Sequence, residues 1–468
     1  MLYKRMILTL LGWFCMLHAF PQGGSVLLFG KAAEYAGDSL SFYTYTDYFV
    51  RNQEIVSVCK VAADGSFRAE FKLNKTTRIF AETGVYRGQI FAEPGKKYEL
   101  KLPPKMEKTS PQLLNPFFQP IEYYFGIINQ LPGDINQQVF TLDQSIDSFL
   151  EVHQYELLNR KQLKPAFESF RASVLQNPAK GYLETHRMYR IAQLEQFFYP
   201  ASKKEIIRKY LKNYPVAIDN QAYCDFISAE FKLYFGLYKQ TVSSDKLLTS
   251  IRDGNLNAVR EIVELQDNLQ NATLRDLLIS KGLYDGFIAG HYSSAEVIPL
   301  ITLLSEDGEC DLTIRRLAVN MIIQITTLLP NYPAPSFALP DQNKRYTYLE
   351  EYKGKYLYLS FVSKDSYPFR QDLELLKMLQ KEFSRNLEIV SISVDPDFEG
   401  FVTMMEKQGC QWTFLQLGNQ HDLIRKYKAK SIPSYYLIDP YGKIVRAPAL
   451  SPQEDFQNEF YGILNKRD

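Results

Sequence analysis

The apolar residues of this chain change their period twice, and that change limits the fold more than any single motif. From Ser39 they fall on short, partly alternating runs such as Ser39-Leu40-Ser41-Phe42-Tyr43-Thr44-Tyr45 and Ile55-Val56-Ser57-Val58-Cys59-Lys60-Val61. Alternation sends one set of side chains to one face of a strand. Asp64-Gly65 reads as a tight hairpin turn, because Gly accepts positive φ at little cost. Further strands are expected at Phe67 to Leu73, Arg78 to Glu82 and Gln89 to Ala92, and after the Pro94-Gly95 turn at Tyr98 to Leu102. Many short strands with regular turns predict a β-sandwich over residues 24–104.

Between residues 113 and 329 the period becomes helical. Ile146 to Leu158, Phe167 to Phe170, Ile206 to Leu211 and Arg315 to Ile325 place apolar residues three and four apart. Pro132-Gly133, Pro178, Pro200, Pro215 and Gly282 punctuate the segment, which predicts a series of helices. Aromatic stripes at Phe197-Phe198-Tyr199 and from Phe231 to Tyr238 read as core. Pro330-Asn331-Tyr332-Pro333-Ala334-Pro335 cannot continue a helix and reads as an exposed linker. Beyond it, over 334–468, the pattern alternates. A buried strand fits Tyr356 to Phe361, a helix Arg370 to Phe383, a strand Leu387 to Val394, and a helix Phe398 to Lys407. A short helix from His421, two strands flanking Pro440-Tyr441-Gly442-Lys443 and a helix from Pro452 follow. The expected class is a multidomain α+β chain: sandwich, all-α middle and α/β C-terminal domain.

Lys4 and Arg5, then the apolar run Met6 to Leu17 and the small Ala19, read as a signal peptide over 1–19. An uncleaved anchor is the alternative, although the run is short for a bilayer. Lipidation at Cys15 is disfavoured by bulky Trp13 and Phe14. No later run approaches 18 apolar residues, so the mature chain is expected to lack a transmembrane segment and to work in the periplasm or elsewhere in the cell envelope. A formal net charge of +1 and no basic run argue against nucleic-acid binding. Cys59, Cys224, Cys310 and Cys410 are widely spaced. They read either as four separate thiols or as including one bridge, such as Cys224 to Cys310. His153, His186, His291 and His421 show no ligand spacing, so no metal and no cofactor is expected.

Two stretches carry a family resemblance. "APSFALPDQNKRYTYLEEYKGKYLYLSF" and, more specifically, "KYKAKSIPSYYLIDPYGKIV" resemble the entry and the closing hairpin of TlpA-like and ResA-like thioredoxin-fold proteins, which border the peroxiredoxins. The stretches "DGSF" and "AEPGKKYEL" resemble a β domain of unknown function often fused ahead of such domains. The family's activity is thiol-disulfide exchange. The resemblance implies that Pro433 takes the place of a cis-proline beside the active site and that Ile432 offers backbone groups to a bound partner strand.

The departure falls on the redox pair. Working members carry Trp-Cys-x-x-Cys after the central strand, where the helix N-terminus lowers the first thiol's pKa. Here the matching positions hold Asp365, Ser366 and Phe369. A serine stays protonated and makes no disulfide, and Phe369 resolves none. Ser366 as a nucleophile would need a base, and no His lies near it in sequence, so only a fold that brought up His421 would supply one; as a helix N-cap it needs nothing more. Lys364 and Asp365 read as a solvated rim. The expected function is therefore a redox-inactive binding or scaffold protein of the envelope, taking a protein or peptide partner in a groove at Ile432-Pro433. The alternative is an oxidoreductase using the lone thiol of Cys410.

Overall fold

The computed structural model describes residues 23–465 except 110–111, 113–114, 116–117, 157–159, 177, 202, 237–242, 268, 270, 419 and 421. The expected leader with Cys15, and His421, lie outside the described residues. By compactness the chain divides in two rather than by element type. One unit takes the residues up to Tyr45, Gln53–Met106 and Ile121–Met188; the other takes Thr46–Asn52, Glu107–Pro120 and the chain from Tyr189 onward.

In the first unit, strands β1 (Gly24–Lys31), β4 (Ser66–Leu73), β7 (Lys97–Lys101) and β9 (Gly126–Ile127) form a sheet in the order β4-β1-β7-β9. Strands β2 (Ser39–Tyr45), β3 (Gln53–Lys60), β5 (Thr77–Thr83), β6 (Tyr86–Ala92) and β8 (Ile121–Tyr124) form a second, in the order β3-β2-β5-β6-β8. Alternate residues of both sheets enter one cluster: Val26 and Leu28, Leu40 and Phe42, Phe67 and Ala69, Ile79 and Ala81. The Asp64-Gly65 turn is present, with Gly65 at φ +79° and the Asp64 carboxylate accepting from Ser66 N at 3.0 Å. It joins no hairpin, however. β3 pairs with β2 and β4 pairs with β1, so the turn carries the chain from one sheet to the other. Helix α1 (Ile135–Val152) docks on β6 through Asn136, whose side chain accepts from Phe91 N (2.6 Å) and donates to Phe91 O (3.0 Å). Helix α2 (Arg160–Leu175) follows, and α3 (Gly181–Phe198) runs across the division at Met188.

The second unit continues with α4 (Gln221–Glu230), α5 (Ser243–Arg252), α6 (Leu256–Asp267), α7 (Ala272–Ile288), α8 (Ser294–Glu306) and α9 (Leu312–Thr326). Their starts are set locally: Asn220, Asn271, Ser293 and Asp311 each cap an orphan N–H. Gly282 is not a breaker. It lies inside α7, where a Cβ would meet the Phe235 ring at 2.9 Å, so the missing side chain makes room for a buried aromatic. Phe231, Tyr234 and Phe235 are core. All four described cysteines are free thiols. The bridge from Cys224 to Cys310 is not formed: Cys224 donates to Ile218 O at 3.4 Å, and Cys310 to Asp276 at 3.6 Å.

The chain then builds a small β10 (Ala338–Pro340) and β11 (Tyr346–Tyr348) ladder and a five-stranded mixed sheet in the order β14-β13-β12-β15-β16. These are β12 (Tyr356–Val362), β13 (Leu387–Ser393), β14 (Thr413–Gln416), β15 (Ser434–Ile438) and β16 (Ile444–Arg446). All seven residues of β12 are buried. Tyr356, Tyr358 and Val362 face α10 (Tyr367–Glu382), α11 (Phe398–Lys407) and α13 (Phe456–Asn465), while Leu357, Leu359 and Phe361 face α12 (Asp422–Lys426) and the entry segment.

The proline-rich entry is not a loose linker. Asn331 N donates to Ile444 O (2.8 Å), Ile444 N to Tyr332 O (2.8 Å) and Ala334 N to Gly442 O (2.9 Å). Proteases need an extended, unpaired segment. Limited proteolysis of the native chain should therefore not yield a fragment beginning at 331–336 among its first products. Early cleavage there would show that these bonds do not persist in solution.

Candidate functional site

The end of β12 and the start of α10 meet the loop before β15. Ser366 caps α10, its side chain accepting from Phe369 N at 3.5 Å, and Pro368 sits in the first turn, where a missing N–H costs nothing. The same hydroxyl donates to Ile432 O at 2.9 Å. The Ile432–Pro433 peptide bond is cis. Ser366 is thus buried and hydrogen-bonded in both roles, with its proton committed to a carbonyl. The structure brings Ser366, Ile432 and Pro433 together.

Asp395, just past β13, holds the loop between β12 and α10 from below. Its carboxylate accepts from Ser363 Oγ (2.7 Å), Lys364 N (2.9 Å) and Ser393 Oγ (2.9 Å), and Ser363 Oγ in turn accepts from Asp365 N (3.1 Å). A buried carboxylate is tolerable when donors surround it in this way. Lys364 pairs with Asp397 at 2.6 Å rather than simply meeting solvent, while Asp365 is exposed. Ser363 and Asp395 escaped the sequence reading. The available signal was that each follows the apolar run of a parallel neighbour strand by one or two residues.

Phe369 is fully buried, stacked on Phe401 with ring centroids 6.3 Å apart. The position expected to match the family's second cysteine therefore belongs to the core. One turn further, the carboxyl of Asp372 accepts from Tyr435 OH (2.7 Å) and Gln453 Nε2 (2.9 Å). Burial raises its pKa above the ordinary carboxylate value, and the two hydrogen bonds oppose that only in part.

Cys410 does not join the site. It is buried among Met405, Trp412 and Phe414. Burial pushes its thiol up to about 11, and the charges acting on it are Lys377 and Glu374 of α10. Those residues lie roughly 12–16 Å along the helix axis from Ser366 at the usual rise per residue. Among the described residues no group of three or more His, Cys, Asp or Glu is placed to hold a metal ion. The arrangement has no described base to activate Ser366 and no thiolate, so what it offers chemically is hydrogen bonding and shape.

Ser366→Ala removes a cap and a cross-loop bond together and should cost about 1–2 kcal/mol, read as a lower urea midpoint. No change would mean that the hydroxyl holds nothing. A thiol at about 11 rather than 9.0 has roughly 100-fold less thiolate at pH 8, so Cys410 should alkylate slowly in the native chain and quickly in urea. The sign for stability follows from the same shift. The fold favours the protonated thiol, so this contribution is complete below pH 9.0 and is lost as pH rises to about 11.

Residues 330–447 match the AhpC/TSA family. The thiol-disulfide oxidoreductase ResA of Bacillus subtilis is 24% identical over 132 residues, which cover 28% of this chain and 73% of that protein. Among solved structures, the thioredoxin domain of a Bacteroides vulgatus thiol-disulfide oxidoreductase is 24% identical, covering 29% of this chain and 99% of its own, with a TM-score of 0.27. A Bacteroides fragilis thiol-disulfide oxidoreductase is also 24% identical over 28% of this chain and 98% of its own, with a TM-score of 0.26. The family match, the ResA similarity and the sheet built around β12 agree: the C-terminal part of this chain is a thioredoxin-fold domain of the TlpA/ResA-like redoxin family.

Proposed function

We propose that the chain is an exported, redox-inactive member of that family, acting in the cell envelope as a binding or scaffold protein for a protein or peptide partner. The observation that carries this reading is the fate of the dithiol positions. Ser366 stands where the attacking thiol would be, with its hydroxyl donated to Ile432 O, and Phe369 stands at the resolving position, buried in the core. Dithiol exchange needs a thiolate at the first and a second sulfur at the other. Folds outlive the chemistry they once carried because the core does not depend on it. The groove beside Ile432 and Pro433 is then the part left to work, on residues 334–468 as a module. The two N-terminal sheets, which share one core and extend the expected 24–104 to β9, are read as a small sandwich, and the helices within 113–329 as a helical domain. Export rests on the charged and apolar N-terminal pattern, and no described helix is long and apolar enough to cross a membrane. The alternative that uses Cys410 is disfavoured by its burial and its raised pKa.

The wild-type protein should show no turnover in an insulin-reduction assay. The Ser366→Cys/Phe369→Cys double variant should gain measurable disulfide exchange, since the helix N-terminus that favours a thiolate is supplied by the fold. The gain is limited by exposed Asp365 beside the new thiolate and by about 3 kcal/mol of lost packing at Phe369. Wild-type turnover that survives in a Cys410→Ser variant would refute the proposal, because no thiol would remain in the domain.

A further inference from the structure

The loop that leads into the cis-proline carries charge and hydrogen-bonding capacity that the protein itself does not use. Several lysines around this sheet have a carboxylate: Lys355 with Glu388, Lys364 with Asp397, Lys377 with Glu374, and Lys426 with Asp422. Lys428 and Lys430 have none among the described residues, and both are exposed. They are close enough to repel. Partial desolvation, and then the Lys430 charge, hold the Lys428 ammonium below the usual lysine range. Lys428 is also fixed in the left-handed region at φ 48°, a position where a non-glycine residue is uncommon. Immediately after it, the backbone N–H groups of Lys430, Ser431 and Ile432 find no acceptor among the described residues.

Across the Ser366–Ile432 hydrogen bond lies a second rim. Tyr367 is 62% exposed, and the Arg370 guanidinium lies over its ring at 6.0 Å while donating to Lys364 O at 3.2 Å. Among the described residues there, the one acid without a cation is Asp365, since Asp397 is neutralised by Lys364. On the two segments joined by the Ser366–Ile432 hydrogen bond, the described residues Lys428, Lys430 and Arg370 have no carboxylate, against one such acid, and three successive backbone donors stand open. Charge complementarity of this kind selects partners and sets on-rates more than it adds raw affinity.

We infer that the groove at Ile432-Pro433 takes an acidic peptide segment, whose carboxylates meet Lys428 and Lys430 and whose backbone carbonyls accept from the N–H groups of residues 430–432. This rests on the binding role proposed above and names the partner's chemistry. A peptide fits better than a free anion because the open donors are strung along the chain rather than gathered around one point, and because Tyr367 offers an apolar face beside them.

The test uses the full chain, a display library of random decapeptides, and hydrogen exchange at residues 428–434. The enriched pool should carry an excess of Asp and Glu. A synthetic peptide from it should slow exchange at Lys430, Ser431 and Ile432 and bind about tenfold or more weakly to Lys428→Gln/Lys430→Gln, with affinity falling as salt rises. These variants change only exposed side chains, so folding is not at issue. Neutral peptides that slow exchange at the same amides would overturn the acidic preference and leave the groove standing. No enrichment and no slowing would overturn both readings. Inorganic phosphate or phosphatidylglycerol vesicles protecting these amides as well as the peptide does would overturn the peptide assignment, leaving a general anion surface.

Discussion

Strand β12 is buried on both faces over its whole length, and the C-terminal domain is organised by that fact. A strand without a solvent face must find cover twice. Its odd and even residues accordingly recruit two separate cores, one under α10, α11 and α13, the other under α12 and the entry segment. Because β12 is central, its end is fixed in space by neighbours on either side, and whatever follows Val362 is delivered to one place. Even the polar residues on this strand are absorbed. Ser360 Oγ meets Ser391 Oγ at 3.0 Å, and Ser391 takes the Trp412 indole N–H at 3.0 Å, so no buried donor there is stranded.

The loop at that end is over-determined in the same spirit. Asp395 gathers three donors from two strand ends, Ser366 ties the helix start to the loop before β15, and Phe369 anchors the first turn of α10 in the core. In a dithiol enzyme the corresponding groups must exchange partners during each cycle. Here the Asp395 carboxylate already has its donors, and the Ile432 carbonyl and the Ser366 hydroxyl satisfy one another.

The strands and helices with strong periodicity were legible in the sequence, β12, β13 and the helices α10 and α11 among them. What escaped was local or non-local in specific ways. β14 has only four residues, too few for an alternation to declare itself. The Asp64-Gly65 turn was readable as a turn, but which strands it separates depends on pairing with β1 and β2, residues far away in the chain. Gly282 looks like a helix breaker because its role is to leave space for Phe235, 47 positions earlier, and sequence carries no trace of that contact. The Asp395 clamp and the unpaired state of Lys428 and Lys430 depend likewise on which side chains the fold places nearby.

The pairing of 331–334 with the β15–β16 hairpin also matters for what the sheet shows to other molecules. β16 is the last strand of its sheet, and an outermost strand normally presents open N–H and C=O groups that another chain can extend. The residues that enter the domain occupy that margin, and Pro333 and Pro335 within them cannot donate onward to a further strand. The segment that joins two parts of the polypeptide is at the same time a guard against edge-to-edge association. A truncation that began the domain after Ala334 would strip that guard and leave a short apolar-backed strand open to self-pairing.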